Sequence, residues 1–482
     1  MKKDKIPEEM RISYLPTPMQ ITGFIFTLLF AAMSIYLCRY AYSNRQEMMS
    51  NSYNSRQKIL SEQTLRGRII SSDGRVLAET VTDDAGAEIR EYPLANVCSH
   101  VVGFASKGRS GVESLANYWL IRSDIPLKEK AGLSDAGEKY PGDDVRITID
   151  TALQETAYKA LAAYKGAVIA TDVRTGAILA MVSKPDFDPN EIDRIWADLV
   201  DDKDDSRLLN RAANGLYPPG STLKIVTALE YLREHPDGQS DYSFNCTGSF
   251  SSGDETIHCF HGTSHGRLDF FTSFQKSCNS SFANIGLGLD RTSYAKTISE
   301  LMFGKDLGLE FRTAQSSASV NAGTSDGDLM QLAIGQGATV VTPVHLNMIT
   351  SAVASGGMMR KPYLIESITD ADGKVLEESR AGDAAQRVMS EEETAVLTEM
   401  MKLVVNGGTG KMLAGLDYDP AGKTGSAEYD SGHKEESHAW FTGFAPADDP
   451  QIAVTVVIEE AGSGGEYAVP VAKRVFDSFF GE

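Results

Sequence analysis

Ser221 and Lys224 stand three residues apart in the stretch Pro218-Pro219-Gly220-Ser221-Thr222-Leu223-Lys224. A serine hydroxyl is a weak nucleophile until a base within hydrogen-bond reach takes its proton. A lysine kept neutral by burial, one helical turn away, can be that base. The Pro-Pro-Gly lead-in stops whatever precedes it, and Leu223, Val226, Leu229 and Leu232 recur at helical spacing. The spacing therefore predicts a helix opened by Ser221, whose free backbone N–H groups face a developing negative charge. Ser-x-x-Lys alone is weak, because it recurs at Ser55, Ser273, Ser293 and Ser431.

Two further clusters raise its weight. Ser277-Cys278-Asn279 falls in Phe274 to Gly286, which reads as a helix with Phe282 and Ile285 inward. The pair can be helix caps, or a hydroxyl that relays a proton and an amide that holds a substrate carbonyl. Lys423-Thr424-Gly425-Ser426 follows Ala421-Gly422, and the small residues read as an edge strand against which something lies. Lys423 supplies positive charge, the hydroxyls of Thr424 and Ser426 suit a carboxylate, and Gly425 leaves room for close backbone approach. The bland alternative is an ordinary hairpin strand.

A fourth constellation has metal-binding chemistry. Cys246, Cys259, His265 and Cys278 form C-x12-C-x5-H-x12-C, three of the five cysteines lying within 33 residues. Three thiolates and an imidazole suit a structural zinc. A Cys246–Cys259 disulfide and free thiols are the alternatives.

Positioning these residues takes a large body. The chain has 482 residues, 42% hydrophobic and 23% charged, which is room for two to four domains. A formal net charge of -20 argues against nucleic acid as a partner. Residues 1–20 are a polar tail with Lys2, Lys3, Lys5 and Arg11, and Ile21 to Cys38 carries no charge. As a helix that run spans about 27 Å, close to the thickness of a bilayer core. With no small-x-small cleavage site after it, it reads as an uncleaved anchor, tail inside and bulk of the chain outside. Residues 44–142 form a mixed N-terminal module with a hairpin around Asp73-Gly74, and Leu133 to Asp144 is a polar link. From 143 onward a helix over Thr151 to Tyr164, a hairpin over Gly166 to Ser183, a central strand over Ile452 to Ile458 and a closing helix over Tyr467 to Phe480 predict an α/β (α+β) domain with an antiparallel sheet.

Ser-x-x-Lys, Ser-x-Asn and Lys-Thr-Gly in that order resemble the penicillin-binding and serine β-lactamase superfamily. The flanks narrow the resemblance to class B penicillin-binding proteins. They are Gly67 to Ala78, Arg90-Glu91-Tyr92-Pro93, His100-Val101-Val102-Gly103, Asp172 to Gly176, Ala333-Ile334-Gly335-Gln336-Gly337 with Thr342-Pro343, and His438 to Pro446. The short N-terminal module is similar to that of compact Gram-positive members. The resemblance implies a monofunctional peptidoglycan D,D-transpeptidase acylated by β-lactams. Ser221 would be acylated, Lys224 would be the base, and Ser277 with Lys423 would relay a proton to the leaving amine. Asn279 would bind the peptide amide, and Thr424 and Ser426 the terminal carboxylate. The N–H groups of Ser221 and Ser426 would form the oxyanion hole. No cofactor is needed for that chemistry, although some elongation-class members are similar in holding a metal near Cys278. The implied partners are stem peptides, β-lactams and a membrane glycan polymerase. A D-alanine carboxypeptidase, a β-lactamase-like hydrolase, a β-lactam sensor and a catalytically silent scaffold are the rival readings. The short tail disfavours the sensor and the intact motifs disfavour the scaffold.

Overall fold

The computed structural model describes residues 17–43, 55–202, 205–236, 241–379, 384–428 and 437–481. Most of the predicted tail, the start of the N-terminal module and the Ser431 repeat of the Ser-x-x-Lys pattern lie outside them. The chain divides into two compact units, 1–60 and 61–482. In the first, helix α1 (Pro18–Ser43) has a mean hydropathy of 2.1, is long and apolar enough to cross a membrane, and buries none of its residues.

The second unit is built on a five-stranded antiparallel sheet. Its strands are β1 (Gly166–Asp172), β2 (Ile178–Lys184), β3 (Ala421–Glu428), β4 (Ser437–Ala445) and β5 (Ile452–Ile458), in the spatial order β3-β4-β5-β1-β2. β5 is fully buried because both of its faces are covered. Val454 and Val456 pack with helices α2 (Thr151–Leu161) and α8 (Gly464–Phe480). Ala453 and Val457 face the opposite core, which holds α3 (Lys224–Glu234) and α6 (Pro343–Ala354). Strand side chains alternate between faces, so a strand sandwiched by helices reads as a continuous apolar run. Each buried Val or Ile stabilises the sandwich by about 1.5–3 kcal/mol. Polar ties set the register of α6 on the sheet: Asn347 Oδ1 accepts from Thr171 Oγ1 at 2.7 Å, and Thr350 Oγ1 meets Thr442 Oγ1 at 2.6 Å.

A second, six-stranded sheet joins the N-terminal module to the rest. Ile69–Ile70 pairs antiparallel with Val76–Thr82 across the expected Asp73-Gly74 turn, and Glu88–Glu91 extends it. Ile69 and Ile70 also pair, parallel, with Val145 and Arg146, and that strand pairs in turn with Ile365–Thr369. The segment read as a polar link is therefore structured at both ends. Helix Leu127–Ala136 runs into it, because its Gly137 cap comes later than the composition suggested, and strand Asp144–Ile147 leaves it.

Two local expectations are corrected. Ser221 sits in a 3₁₀ turn, Gly220–Leu223, and α3 begins only at Lys224. The predicted helix from Phe274 to Gly286 is two helices, Phe270–Gln275 and α4 (Asn279–Gly288), with Ser277 between them at φ 54°. The break holds because the Cys278 N–H donates to Ser273 O at 2.9 Å and the Cys278 side chain caps α4 at the Ser281 N–H. Phe282 and Ile285 are inward, as expected.

Candidate active site

The three clusters converge on one buried amine. Lys224 is fully buried, and its Nζ lies 2.9 Å from Ser221 Oγ, 2.8 Å from Ser277 O and 2.7 Å from Asn279 Oδ1. Burial pushes its pKa down to about 7. A neutral amine has two N–H donors and one lone pair. The Ser277 carbonyl and the Asn279 amide oxygen can only accept, so they take both N–H groups. The lone pair is left for the Ser221 hydroxyl, which is the geometry of a base that receives that proton.

Lys423 is also fully buried and donates to Ser277 Oγ and Thr424 O, both at 2.8 Å. Burial, then the neighbouring Lys224 charge, holds its pKa well below the usual lysine value. Ser277 Oγ lies 3.4 Å from Lys224 Nζ as well, so the hydroxyl bridges the two amines. The left-handed conformation at Ser277 is what turns both its carbonyl and its hydroxyl inward, and the break between the helices makes that conformation.

β3 is an edge strand, as expected. Its Gly425 also answers a need that the sequence did not suggest. A Cβ there would stand 3.0 Å from Pro219 O, 3.1 Å from Thr222 Cγ2 and 3.2 Å from Trp440 Cβ. The bare face admits the turn that carries Ser221. Trp440 Nε1 donates to Pro218 O at 3.0 Å and fixes that turn from behind. Ser426 Oγ accepts from the Gly464 N–H at 3.3 Å, and Asn279 Nδ2 donates to His258 O at 3.1 Å. A cleft of about 390 Å³ opens beside these groups, lined by His258, Phe260, Asn279, Gln336, Ser426 and Glu428 among others.

Thr409, which the sequence did not single out, meets Thr424 Oγ1 through its own hydroxyl at 2.5 Å. With Thr409 as donor, the Thr424 proton is free for an anionic ligand. Its only signal is a Gly-Gly-Thr-Gly run after helix α7 (Glu391–Gly407).

The cysteine constellation also assembles. The donor atoms of Cys246, Cys259, His265 and Cys278 lie within 4.8 Å of one another. Cys246 and Cys278 Sγ are each 3.6 Å from Cys259 Sγ, and His265 Nδ1 is 3.4 Å from Cys246 Sγ.

A profile of the penicillin binding protein transpeptidase domain matches residues 166–477, well over half of the chain. The chain belongs to the penicillin-binding protein transpeptidase family. The penicillin binding protein A dimerisation domain matches residues 66–139. The chain is 31% identical over 447 residues to the peptidoglycan D,D-transpeptidase PbpA of Mycolicibacterium smegmatis, covering 86% of this chain and 90% of that one. Stage V sporulation protein D of Bacillus subtilis is 29% identical over 80% of this chain and 63% of its own length. Penicillin-binding protein A from M. tuberculosis, solved as a ceftriaxone acyl-enzyme complex, superposes with a TM-score of 0.79 at 26% identity, covering 88% of this chain and 99% of that one. A D,D-transpeptidase domain from Eggerthella lenta gives 0.77 at 29% identity, covering 87% and 99%. This penicillin-binding protein is of class B, the class its motif flanks resemble.

Proposed function

We propose that Ser221 carries the peptidoglycan D,D-transpeptidase activity of this chain. The observation that supports it is the buried Lys224 amine, whose two donors are taken and whose lone pair faces Ser221 Oγ. Ser221 Oγ attacks the carbonyl between the last two D-alanines of a stem peptide as its proton passes to Lys224. The tetrahedral oxyanion is met by the Ser221 and Ser426 N–H groups. The C–N bond breaks, the leaving amine takes a proton through Ser277 and Lys423, and D-alanine departs with its carboxylate released from Thr424 and Ser426. An amine of a second stem peptide then attacks the acyl ester, gives up a proton, and frees Ser221. Asn279 spends one N–H on His258 O and one Oδ1 lone pair on Lys224, which leaves its second N–H for a substrate carbonyl. A β-lactam acylates Ser221 by the same first half-reaction. Intact mass after exposure to benzylpenicillin tests this: wild type is expected to gain one stable adduct and Ser221→Ala none. Labelling of Ser221→Ala refutes the site, and an adduct lost within minutes refutes transpeptidase in favour of hydrolase.

The cysteine constellation fits a structural zinc. With Zn–S bonds of about 2.3 Å, the edge of a tetrahedral thiolate site is about 3.8 Å, close to the 3.6 Å sulfur separations and far from a bonded pair. Such an ion would be held by Cys246, Cys259, His265 and Cys278, and would pin the Ser277–Asn279 break from behind. Native mass decides it: one added zinc supports the reading, while a loss of two hydrogens is the disulfide.

We read helix α1 as the membrane anchor, with the N-terminus cytoplasmic and the catalytic unit outside, where a peptidoglycan substrate would lie. The Lys and Arg residues preceding it support that orientation. A membrane glycan polymerase is the partner the class resemblance implies. Protease protection of the N-terminus in spheroplasts, and co-purification from membranes, test the two statements.

A further inference from the structure

An antiparallel edge strand presents alternate residues outward, each with a free N–H and C=O. On β3 the outward row contains Thr424, whose carbonyl takes the Lys423 amine, then Ser426, then Glu428. Ser426 lines the cleft, with its carbonyl against the Gly220 turn. The Glu428 pair is met by a side chain. The side-chain amide of Gln336, turned so that each polar atom meets its complement, donates to Glu428 O at 3.2 Å and accepts from Glu428 N at 3.2 Å. One side chain thus copies the paired bonds of a neighbouring strand.

The same short segment grips the other half of the site. Gly335 O accepts from the Gly220 N–H at 2.9 Å. Gly335, at φ 75°, lies so close to that turn that a Cβ would fall 2.0 Å from Gly220 O. Gly220, at φ 52°, is in turn close to β3, where a Cβ would stand 2.8 Å from Ser426 O. Gly335 therefore anchors the residue before Ser221, and Gln336 anchors the residue two beyond Ser426.

We propose that Gln336 is a positioning residue that sets the separation of the Ser221 and Ser426 N–H groups, by clamping the outer end of β3 to the turn that carries Ser221. This rests on the reading of those two N–H groups as the oxyanion hole. The hole is useful only if both donors meet one oxygen, and a displacement of about 1 Å costs on the order of a hundredfold in rate. β3 needs the clamp because, among the described residues, no strand pairs with its outer edge, and Glu428 is the last described residue of the strand.

The experiment is rapid-quench acylation by a fluorescent penicillin, which separates the first-order acylation constant from the dissociation constant of the encounter complex. It is run on wild type, Gln336→Glu and Gln336→Ala, with Ser221→Ala alongside. Gln336→Glu keeps the size but sets an oxygen against Glu428 O. Both variants are expected to lose about 10- to 100-fold in the acylation constant. The encounter constant should change by less than about threefold, and the pH midpoint of acylation should stay where Lys224 puts it. Hydrogen exchange should show the Glu428 N–H protected in wild type and unprotected in both variants. An unchanged acylation constant overturns the proposal. So does a loss carried wholly by the encounter constant, or a shifted pH midpoint. If Gln336→Ala misfolds, Gln336→Glu and the wild-type exchange at Glu428 still decide the matter. Labelling of Ser221→Ala would instead sink the assignment of the nucleophile and leave the clamp to be judged on exchange alone.

Discussion

Replacing Asn279 by Asp exchanges the Nδ2 that donates to His258 O for an oxygen and puts a negative charge on the group whose Oδ1 lies 2.7 Å from Lys224 Nζ. The neutral amide oxygen becomes a carboxylate oxygen, in a pocket where Lys224 is fully buried. In the wild-type protein, burial holds Lys224 down at about 7. Only the neutral amine can take the Ser221 proton, so acylation should rise with pH through a midpoint near 7 and then level off. Two units below that midpoint, about 1% of the amine is neutral and the rate should be about a hundredth of its plateau. A close opposite charge favours the ammonium form and raises a lysine pKa by about 1 to 3 units. In Asn279→Asp the midpoint should therefore move up by that much. At pH 7, where half of the wild-type amine is neutral, the rate should fall by about 5- to 500-fold, and most of the loss should return at higher pH. The assay is acylation by a fluorescent penicillin, followed in both proteins across the pH range in which each stays folded. A midpoint that stays near 7 in Asn279→Asp, or a loss that higher pH does not repair, refutes the assignment of Lys224 as the neutral base.

Thr409→Val keeps the shape of the side chain and removes the hydroxyl that meets Thr424. Acylation by β-lactams that bear a carboxylate should slow by about 2- to 10-fold, the worth of one neutral hydrogen bond that orients Thr424, while an ester lacking that charge should lose less. Trp440→Phe breaks the bond to Pro218 O and leaves space behind the turn that carries Ser221. Urea unfolding should show a loss of about 2–4 kcal/mol. Chelation of the proposed zinc should slow acylation more than it weakens penicillin encounter, because Cys278 lies between Ser277 and Asn279; equal rates before and after removal of a bound metal would separate the metal from the site.

The sheet was largely legible. Ile452 to Ile458 is β-branched and apolar on both faces, and Asp172 to Gly176 carries its own turn chemistry, so strand, hairpin and closing helix fall where local pattern puts them. The three clusters were legible as residue types. Their convergence on Lys224 was not, since it depends on contacts between segments more than fifty residues apart. The broken helix at Ser277 was misread because no Pro or Gly marks it, and the Cys278 cap resembles a residue of a continuous helix. Gly425 was attributed to ligand approach alone, and the protein's own turn also uses its bare face. Gln336 and Thr409 meet β3 from distant segments, and the glycine-flanked runs in which they stand do not say that β3 is what they meet.

The parallel pairing of Ile69 and Ile70 with Val145 and Arg146 makes the N-terminal module and the catalytic part share one sheet and one core. Their stabilities are therefore not separate quantities. Cutting the chain near Gly142 would strip Val145 and Arg146 of a partner strand and expose apolar surface, Val145 included, that is fully buried in the intact protein. Damage to the module should thus appear as lost acylation at Ser221, and thermal unfolding of residues 61–482 should be one cooperative transition.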